Sequence, residues 1–270
     1  MIRETVFLVD NGSLEPPATL SLRRLASALS ERTGVTVEPV SIRHSNRIPP
    51  EQVDGLPAEV VEEALAKRAA EGVQRVTVVP LFFGPSGALT SYLPEVARRF
   101  PQVEVRVCPT LHRKRDARLA QILATNILGV AIQLGTAPAP RAVAIVDHGS
   151  PARELTAVRD ALASEVARML GEGFKVAPSS MERREGAEYD FNEPLLATLL
   201  ATPPWNSGDV IVAMQFLQPG RHAGPGGDVA TICRDAEEKS PGLRTHMTAL
   251  VGESPLLIEI LADRLTSAFL

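Results

Sequence analysis

Val9-Asp10-Asn11-Gly12-Ser13 returns later in the chain as Val146-Asp147-His148-Gly149-Ser150. Each copy closes a short apolar run and opens onto a stretch with helical spacing, so the chain reads as one unit built twice. The changed position, Asn11 against His148, marks the copy that holds a reactive group. The two copies can be compared within a single sequence.

Working outward from the first copy, Thr5–Val9 reads as a strand. Pro17 to about Glu31 sets Leu20, Leu22, Leu25, Ala26 and Leu29 near one helical face. Gly34 stops that helix and Val35–Ile42 reads as a second strand. Pro57 is placed as the first residue of a helix that Gly72 ends. Arg75–Phe83 is apolar enough for a strand covered on both faces. After the Gly84–Gly87 loop come a helix near Ala88–Phe100, a strand at Val103–Cys108 and a helix over about Arg113–Leu128. The second copy repeats the order, with strands at Ala142–Val146, Phe174–Met181, Asp209–Phe216 and Leu243–Leu250. Its helices are placed at about Arg153–Leu170, Glu193–Leu200, Val229–Glu238 and Ser254–Leu265. Gly135–Pro140 is a small, Pro-rich linker. Strand–helix alternation predicts an α/β fold. Two lobes, residues 1–134 and 141–270, are expected to be related by a pseudo-twofold, each a mainly parallel four-stranded sheet flanked by helices. Ligands of such sheets sit beyond the carboxyl ends of the strands.

Three strand ends can be paired between the copies. Asn11 faces His148. Val37–Arg43 lines up with Val176–Glu182, so Arg43 faces Glu182. Phe82–Ala88 lines up with Phe216–His222, so Ala88 faces His222. All three differences run one way: the later copy holds His, Glu and His. Two imidazoles and a carboxylate suit Co²⁺, Fe²⁺, Ni²⁺ or Zn²⁺, and they suit proton acceptance near neutral pH. Other readings stand beside this one. Glu182-Arg183-Arg184-Glu185 also fits a solvated charged run. Gly149-Ser150 also fits a tight turn that caps the next helix. Gly220–Asp228 fits either a flexible surface loop or a lid or substrate edge.

Composition removes several function classes. The 270 residues carry a formal net charge of -4 and no basic stripe with interleaved aromatics, so no nucleic-acid partner is expected. Cys108 and Cys233 stand at non-equivalent places, which supports neither a disulfide framework nor a cysteine zinc site. No stretch has the length of a membrane span, and the start lacks a secretory pattern. The expectation is a cytoplasmic protein without a membrane partner, a monomer or a homodimer. Neither glycine-rich loop matches a nucleotide-binding fingerprint, and no organic cofactor is expected.

Asp147-His148-Gly149-Ser150, Met181-Glu182 and Pro219-Gly220-Arg221-His222-Ala223-Gly224 resemble the motifs of the class II tetrapyrrole chelatases, within them the sirohydrochlorin chelatases of the CbiX/SirB type. The two-copy form resembles the long members, in which halves that are separate subunits elsewhere are fused. The resemblance implies insertion of Co²⁺ or Fe²⁺ into sirohydrochlorin, for cobalamin or sirohaem synthesis, with Ni²⁺ also compatible. It implies His148 and His222 as metal ligands or proton acceptors and Glu182 as their partner. Gly149, Ser150, Arg221 and Gly224 are then substrate contacts, with Arg221 and the first repeat's Arg43 matched to substrate carboxylates. Long members commonly carry the histidines in the first half, whereas here they stand in the second. A metal- or tetrapyrrole-carrying protein on the same scaffold is the alternative.

Overall fold

In a computed structural model that describes residues 3–135 and 140–267, the apolar run before Asn11 forms a strand, β1 (Glu4–Asp10). Residues 136–139 of the expected linker lie outside the described residues. The first repeat continues through α1 (Pro16–Thr33), β2 (Val37–Ser41), β3 (Glu59–Val60), α2 (Val61–Ala70), β4 (Arg75–Pro80), α3 (Leu93–Ala97), β5 (Glu104–Val107) and α4 (Arg118–Leu134). The second runs β6 (Arg141–Asp147), α5 (Arg153–Leu170), β7 (Phe174–Ser180), α6 (Leu196–Leu199), β8 (Gly208–Met214), α7 (Asp228–Lys239), β9 (Leu243–Met247) and α8 (Leu256–Thr266).

Every strand pairing is parallel, in the orders β3-β2-β1-β4-β5 and β7-β6-β8-β9. The central strands explain the unbroken apolar runs. Phe7, Leu8 and Val9 are fully buried, as are Val143, Ala144, Ile145 and Val146, because both sheet faces are covered. The first sheet therefore has five strands rather than the four expected. The fifth, Glu59–Val60, also corrects the placing of Pro57 at the head of a helix: the chain stays extended past Pro57, pairs with Val40 and Ser41, and turns helical only at Val61. A sheet edge tolerates the proline. In the second sheet that strand shrinks to a single bridge between Ser180 and Leu195. The helix expected from Arg113 begins at Arg118, since Arg115 holds a left-handed backbone with φ 70° that a helix cannot include. The helix expected over Glu193–Leu200 is one turn, Leu196–Leu199.

The compact units and the sequence repeats divide the chain differently. One unit is Met1–Arg113 with Pro255–Leu270, and the other is Lys114–Ser254. The last helix of each repeat is thus exchanged. Helix α8 packs on α1 and β4, while α4 packs on α5 and β8. Within the first unit Arg264 donates to the carbonyls of Thr110 and Leu111, and Arg32 forms a forked pair with Glu259. Leu257, Ile260, Leu261 and Leu265 of α8 are buried. At roughly 1.5–3 kcal/mol for each such side chain, their burial approaches the whole net stability of a domain.

Deletion of Pro255–Leu270 is accordingly expected to unfold the first unit, although it removes the far end of the chain. The single tryptophan, Trp205, is buried in the second unit and donates its indole N–H to the Val143 carbonyl. Urea unfolding followed by Trp205 emission and by far-UV circular dichroism reads the two units apart. The dichroism should lose the transition that Trp205 emission does not follow or shift it to low urea, with the Trp205 transition displaced far less.

Candidate active site

The fully buried β6 ends at Asp147, and the next residue turns out of the sheet. Gly149 has φ 88°, and a Cβ there would stand 1.9 Å from the Glu182 carbonyl oxygen. The first unit repeats this contact: Gly12 has φ 85°, and its Cβ would meet the Arg43 carbonyl oxygen at 1.8 Å. Only glycine allows both the left-handed backbone and the approach. The contact drives the residue before each glycine against the end of the neighbouring strand. It confirms the pairing of Arg43 with Glu182 read from the repeats.

In the second unit the approach brings three candidates together. The imidazoles of His148 and His222 meet edge to face with centroids 4.6 Å apart, and His148 Nε2 lies 3.5 Å from Glu182 Oε1. All three side chains are partly solvent-exposed. His222 is delivered from β8 by the Gly220–Asp228 run. It coils into successive turns, with Gly224 N–H donating to the Gly220 carbonyl and Asp228 N–H to that of Arg221. Gly224, expected as a substrate contact, has a packing reason of its own: a Cβ would lie 2.8 Å from the Gly220 oxygen.

The hydrogen bonds set the tautomers. His148 Nδ1 lies 3.0 Å from the Gly149 carbonyl oxygen, and His222 Nδ1 lies 2.6 Å from Asp228 Oδ2. Both partners only accept, so each Nδ1 carries the proton and each Nε2 presents a lone pair. The His148 lone pair then faces a carboxylate oxygen, an arrangement of two acceptors that a proton or a cation between them resolves. Among the described residues, no three His, Cys, Asp or Glu side chains are arranged to hold a metal ion by themselves. The arrangement is an open pair of imidazoles with one carboxylate beside it. Cys108 and Cys233 are buried, and burial pushes both thiols up to about 11, so neither supplies a thiolate at neutral pH.

Behind the histidines runs a buried polar chain. Asp147 Oδ1 accepts from Gly149 N–H at 3.0 Å and from the Ser180 hydroxyl at 2.7 Å. Arg159 donates to Ser180 Oγ at 2.6 Å and to the Asn192 carbonyl at 2.8 Å. The Asn192 side chain accepts from Ser150 N–H and donates to the Ser150 carbonyl, both at 2.9 Å. Burial raises the Asp147 carboxyl above its ordinary range; the Ser180 hydroxyl, the Arg159 charge and the Gly149 N–H act the other way. Ser150 Oγ accepts from Ala152 N–H and turns the chain into α5. Arg221 projects into solvent with its Nε 3.8 Å from Asp228 Oδ2.

Three of these residues escaped the sequence reading. Asp228 stood in the quoted glycine-rich run, six places after His222, without a role. Arg159 falls on the buried face of α5, where the first repeat has the apolar Leu22, and that exchange was open to the same repeat comparison. Asn192 carried no signal.

Asp228 orients His222 by accepting from its Nδ1, as a carboxylate behind a metal-binding imidazole does. Asp228→Ala is expected to weaken Co²⁺ binding by about 10–100-fold, while Asp228→Asn, which still accepts from Nδ1, loses less. Calorimetric titration with Co²⁺ measures both, and equal affinity in wild type and Asp228→Ala would remove this role.

Comparison with known proteins follows the same lines. The CbiX family model matches residues 5–127 and again 142–268. No curated protein matches the sequence. Among solved structures, SirB from Bacillus subtilis with Fe³⁺ superposes with a TM-score of 0.70 at 13% identity, over 99% of this chain and 96% of that one. The sirohydrochlorin chelatase SirB from Bacillus subtilis subspecies spizizenii, in complex with cobalt, gives 0.67 at 13% identity, over 99% and 95%. CbiX, the terminal enzyme for biosynthesis of siroheme in denitrifying bacteria, gives 0.63 at 16% identity, over 98% and 99%. At these identities the structural likeness is one of fold, whereas the family match spans both repeats: the chain belongs to the CbiX family.

Proposed function

We propose that the second unit inserts a divalent metal ion, Co²⁺ or Fe²⁺, into a sirohydrochlorin-type tetrapyrrole. The convergence of His148 and His222, each with its Nε2 freed by an acceptor on Nδ1, carries this reading. Family membership supports it, as do neighbours of the same fold solved with iron and with cobalt.

Insertion exchanges two pyrrole N–H bonds for bonds to the metal, and the two protons leave the ring. The ion must shed water, and the ring nitrogens must lose weakly held protons. The Nε2 atoms of His148 and His222 replace part of the ion's hydration and present it to one face of the ring. As the ion passes into the macrocycle, the lone pair of His148 and the carboxylate of Glu182 accept the released protons. The openness of the site suits this task. A closed structural cage holds zinc by about 10–16 kcal/mol and would retain the ion instead of surrendering it. Two imidazoles and a nearby carboxylate bind an ion long enough to orient it and weakly enough to release it. Affinity for such a donor set follows the general order of the divalent metals, with nickel above cobalt and cobalt above iron, so the inserted metal is set by supply and geometry rather than by affinity alone.

His148→Ala and His222→Ala are each expected to slow metal insertion by at least about 100-fold, with the far-UV spectrum unchanged because both rings are partly solvent-exposed. The assay follows the absorbance change of sirohydrochlorin with Co²⁺, Fe²⁺ and Ni²⁺ in turn. An insertion rate in either variant equal to wild type excludes the assignment. A wild-type protein that binds sirohydrochlorin and Co²⁺ without accelerating the spectral change is a carrier.

A further inference from the structure

We infer that the matching strand-end position of the first unit is a carboxylate receptor built on Arg43, stacked on Tyr92. Arg43 occupies the place that Glu182 holds in the second unit, fixed by the same glycine contact, here with Gly12. Its guanidinium carbon lies 3.7 Å from the centroid of the Tyr92 ring. Tyr92 is itself packed against the buried core of the first unit. Stacking holds the guanidinium plane still and leaves its N–H edge open, so less freedom is lost when it grips a planar anion. Among the described residues, no carboxylate and no carbonyl pairs with the Arg43 guanidinium.

The backbone beneath it is held in an uncommon shape. His44 has φ 73° and ψ -38°, and Ser45 N–H donates to the Arg43 carbonyl at 2.9 Å. This is a γ-turn of the positive-φ kind, rare for a residue with a side chain. The turn is braced by Ser45, whose hydroxyl donates to Ser41 at 2.9 Å and contacts both the N–H and the carbonyl of Ser13 at 3.3 Å.

Charge around the position points to the same ligand. The segments leaving the strand ends of the first unit, Asn11–Leu14, Ile42–Pro50 and Leu81–Tyr92, contain no acidic residue and carry Arg43 and Arg47. The corresponding stretches of the second unit, residues 148–151, 181–189 and 215–226, carry Glu182, Glu185 and Glu188 beside Arg183, Arg184 and Arg221. The first unit's strand end therefore carries charge of one sign, positive, and favours an anion, whereas the second carries both signs. A guanidinium with two parallel N–H groups free matches the two oxygens of a carboxylate. The identification of that carboxylate as one from the rim of a tetrapyrrole rests on the function proposed above; the receptor itself does not.

The full chain is titrated, without metal, with uroporphyrin, a porphyrin bearing only carboxylate side arms, and binding is read by porphyrin fluorescence. Arg43→Ala is expected to weaken binding about tenfold, the effect of one charge-assisted pair. Arg43→Lys, which keeps the charge and loses the fork, should recover part of it, and Tyr92→Leu should fall between wild type and Arg43→Ala. Arg168→Ala, which removes an exposed arginine from α5 in the second unit, controls for general charge and should bind as wild type. A porphyrin with cationic side arms should gain nothing from Arg43. Equal uroporphyrin affinity in wild type and Arg43→Ala overturns the inference, as does failure of the wild type to bind uroporphyrin. Because no metal enters this titration, a protein that binds through Arg43 yet inserts no metal refutes the proposed function and keeps the receptor.

Discussion

A glycine α-carbon pressed against a backbone carbonyl organises both strand-end positions. In each unit the parallel ladder runs one residue beyond the second strand, with Ile42 N–H donating to Asp10 and Met181 N–H to Asp147. The next carbonyl, of Arg43 or Glu182, then falls where a Cβ of Gly12 or Gly149 would be. The residue before the glycine and the residue bearing the carbonyl are thereby made neighbours, whatever their side chains. This backbone constraint is identical in both units. The chemistry it presents is not: asparagine with arginine in one, histidine with glutamate in the other.

The second unit adds a support that the first lacks. A guanidinium as fully buried as that of Arg159 costs several kcal/mol in desolvation unless its donors are satisfied. Here they are met by Ser180, the Asn192 carbonyl and Asp160, which reaches toward solvent. The corresponding site in the first unit is filled by Leu22, and Ser45 does the smaller task of tying the motif loop down. Retention of a buried charge where a leucine suffices elsewhere has a physical use. Catalytic groups need to be held within about half an ångström of their working position, and a satisfied hydrogen-bonded chain resists displacement more than apolar contact does. Arg159 and Asn192 together clamp Ser150, two residues from His148.

What the sequence disclosed follows from which interactions are local. The repeat, the parallel strands and the pairing of Arg43 with Glu182 were legible, because burial on both faces leaves continuous apolar runs and equal backbone contacts leave equal glycines. The convergence of His148 with His222 was legible as well, since both follow adjacent strands of one sheet. The exchange of α4 and α8 was not. Both helices keep the apolar face expected of them, and nothing in a helix's periodicity says which sheet it covers. Nor was the short β3 strand, where two residues pair at an edge with Pro57 just before them. The coiled form of the Gly220–Asp228 run was hidden for a related reason. Glycine permits close turns as readily as extended backbone, and only the bonds of Gly224 and Asp228 to carbonyls earlier in the run show the turns.

The inverted charge at the Arg43 and Glu182 positions has an electrostatic consequence for where an ion can go. A unit positive charge about 4 Å from another, near a protein surface, is repelled by about 4 kcal/mol, and a divalent ion by about twice that. An ion beside Arg43 would meet this repulsion and find no imidazole in return, since the positions matching His148 and His222 are Asn11 and Ala88. At the second unit it finds the reverse: two lone pairs and the Glu182 carboxylate, with the negative charge of Asp228 behind His222. A duplicated fold therefore need not divide the ion between its two copies. Arginine in place of glutamate, together with the missing imidazoles, opposes a metal ion in the first unit, and the same arginine leaves that unit suited to an anion.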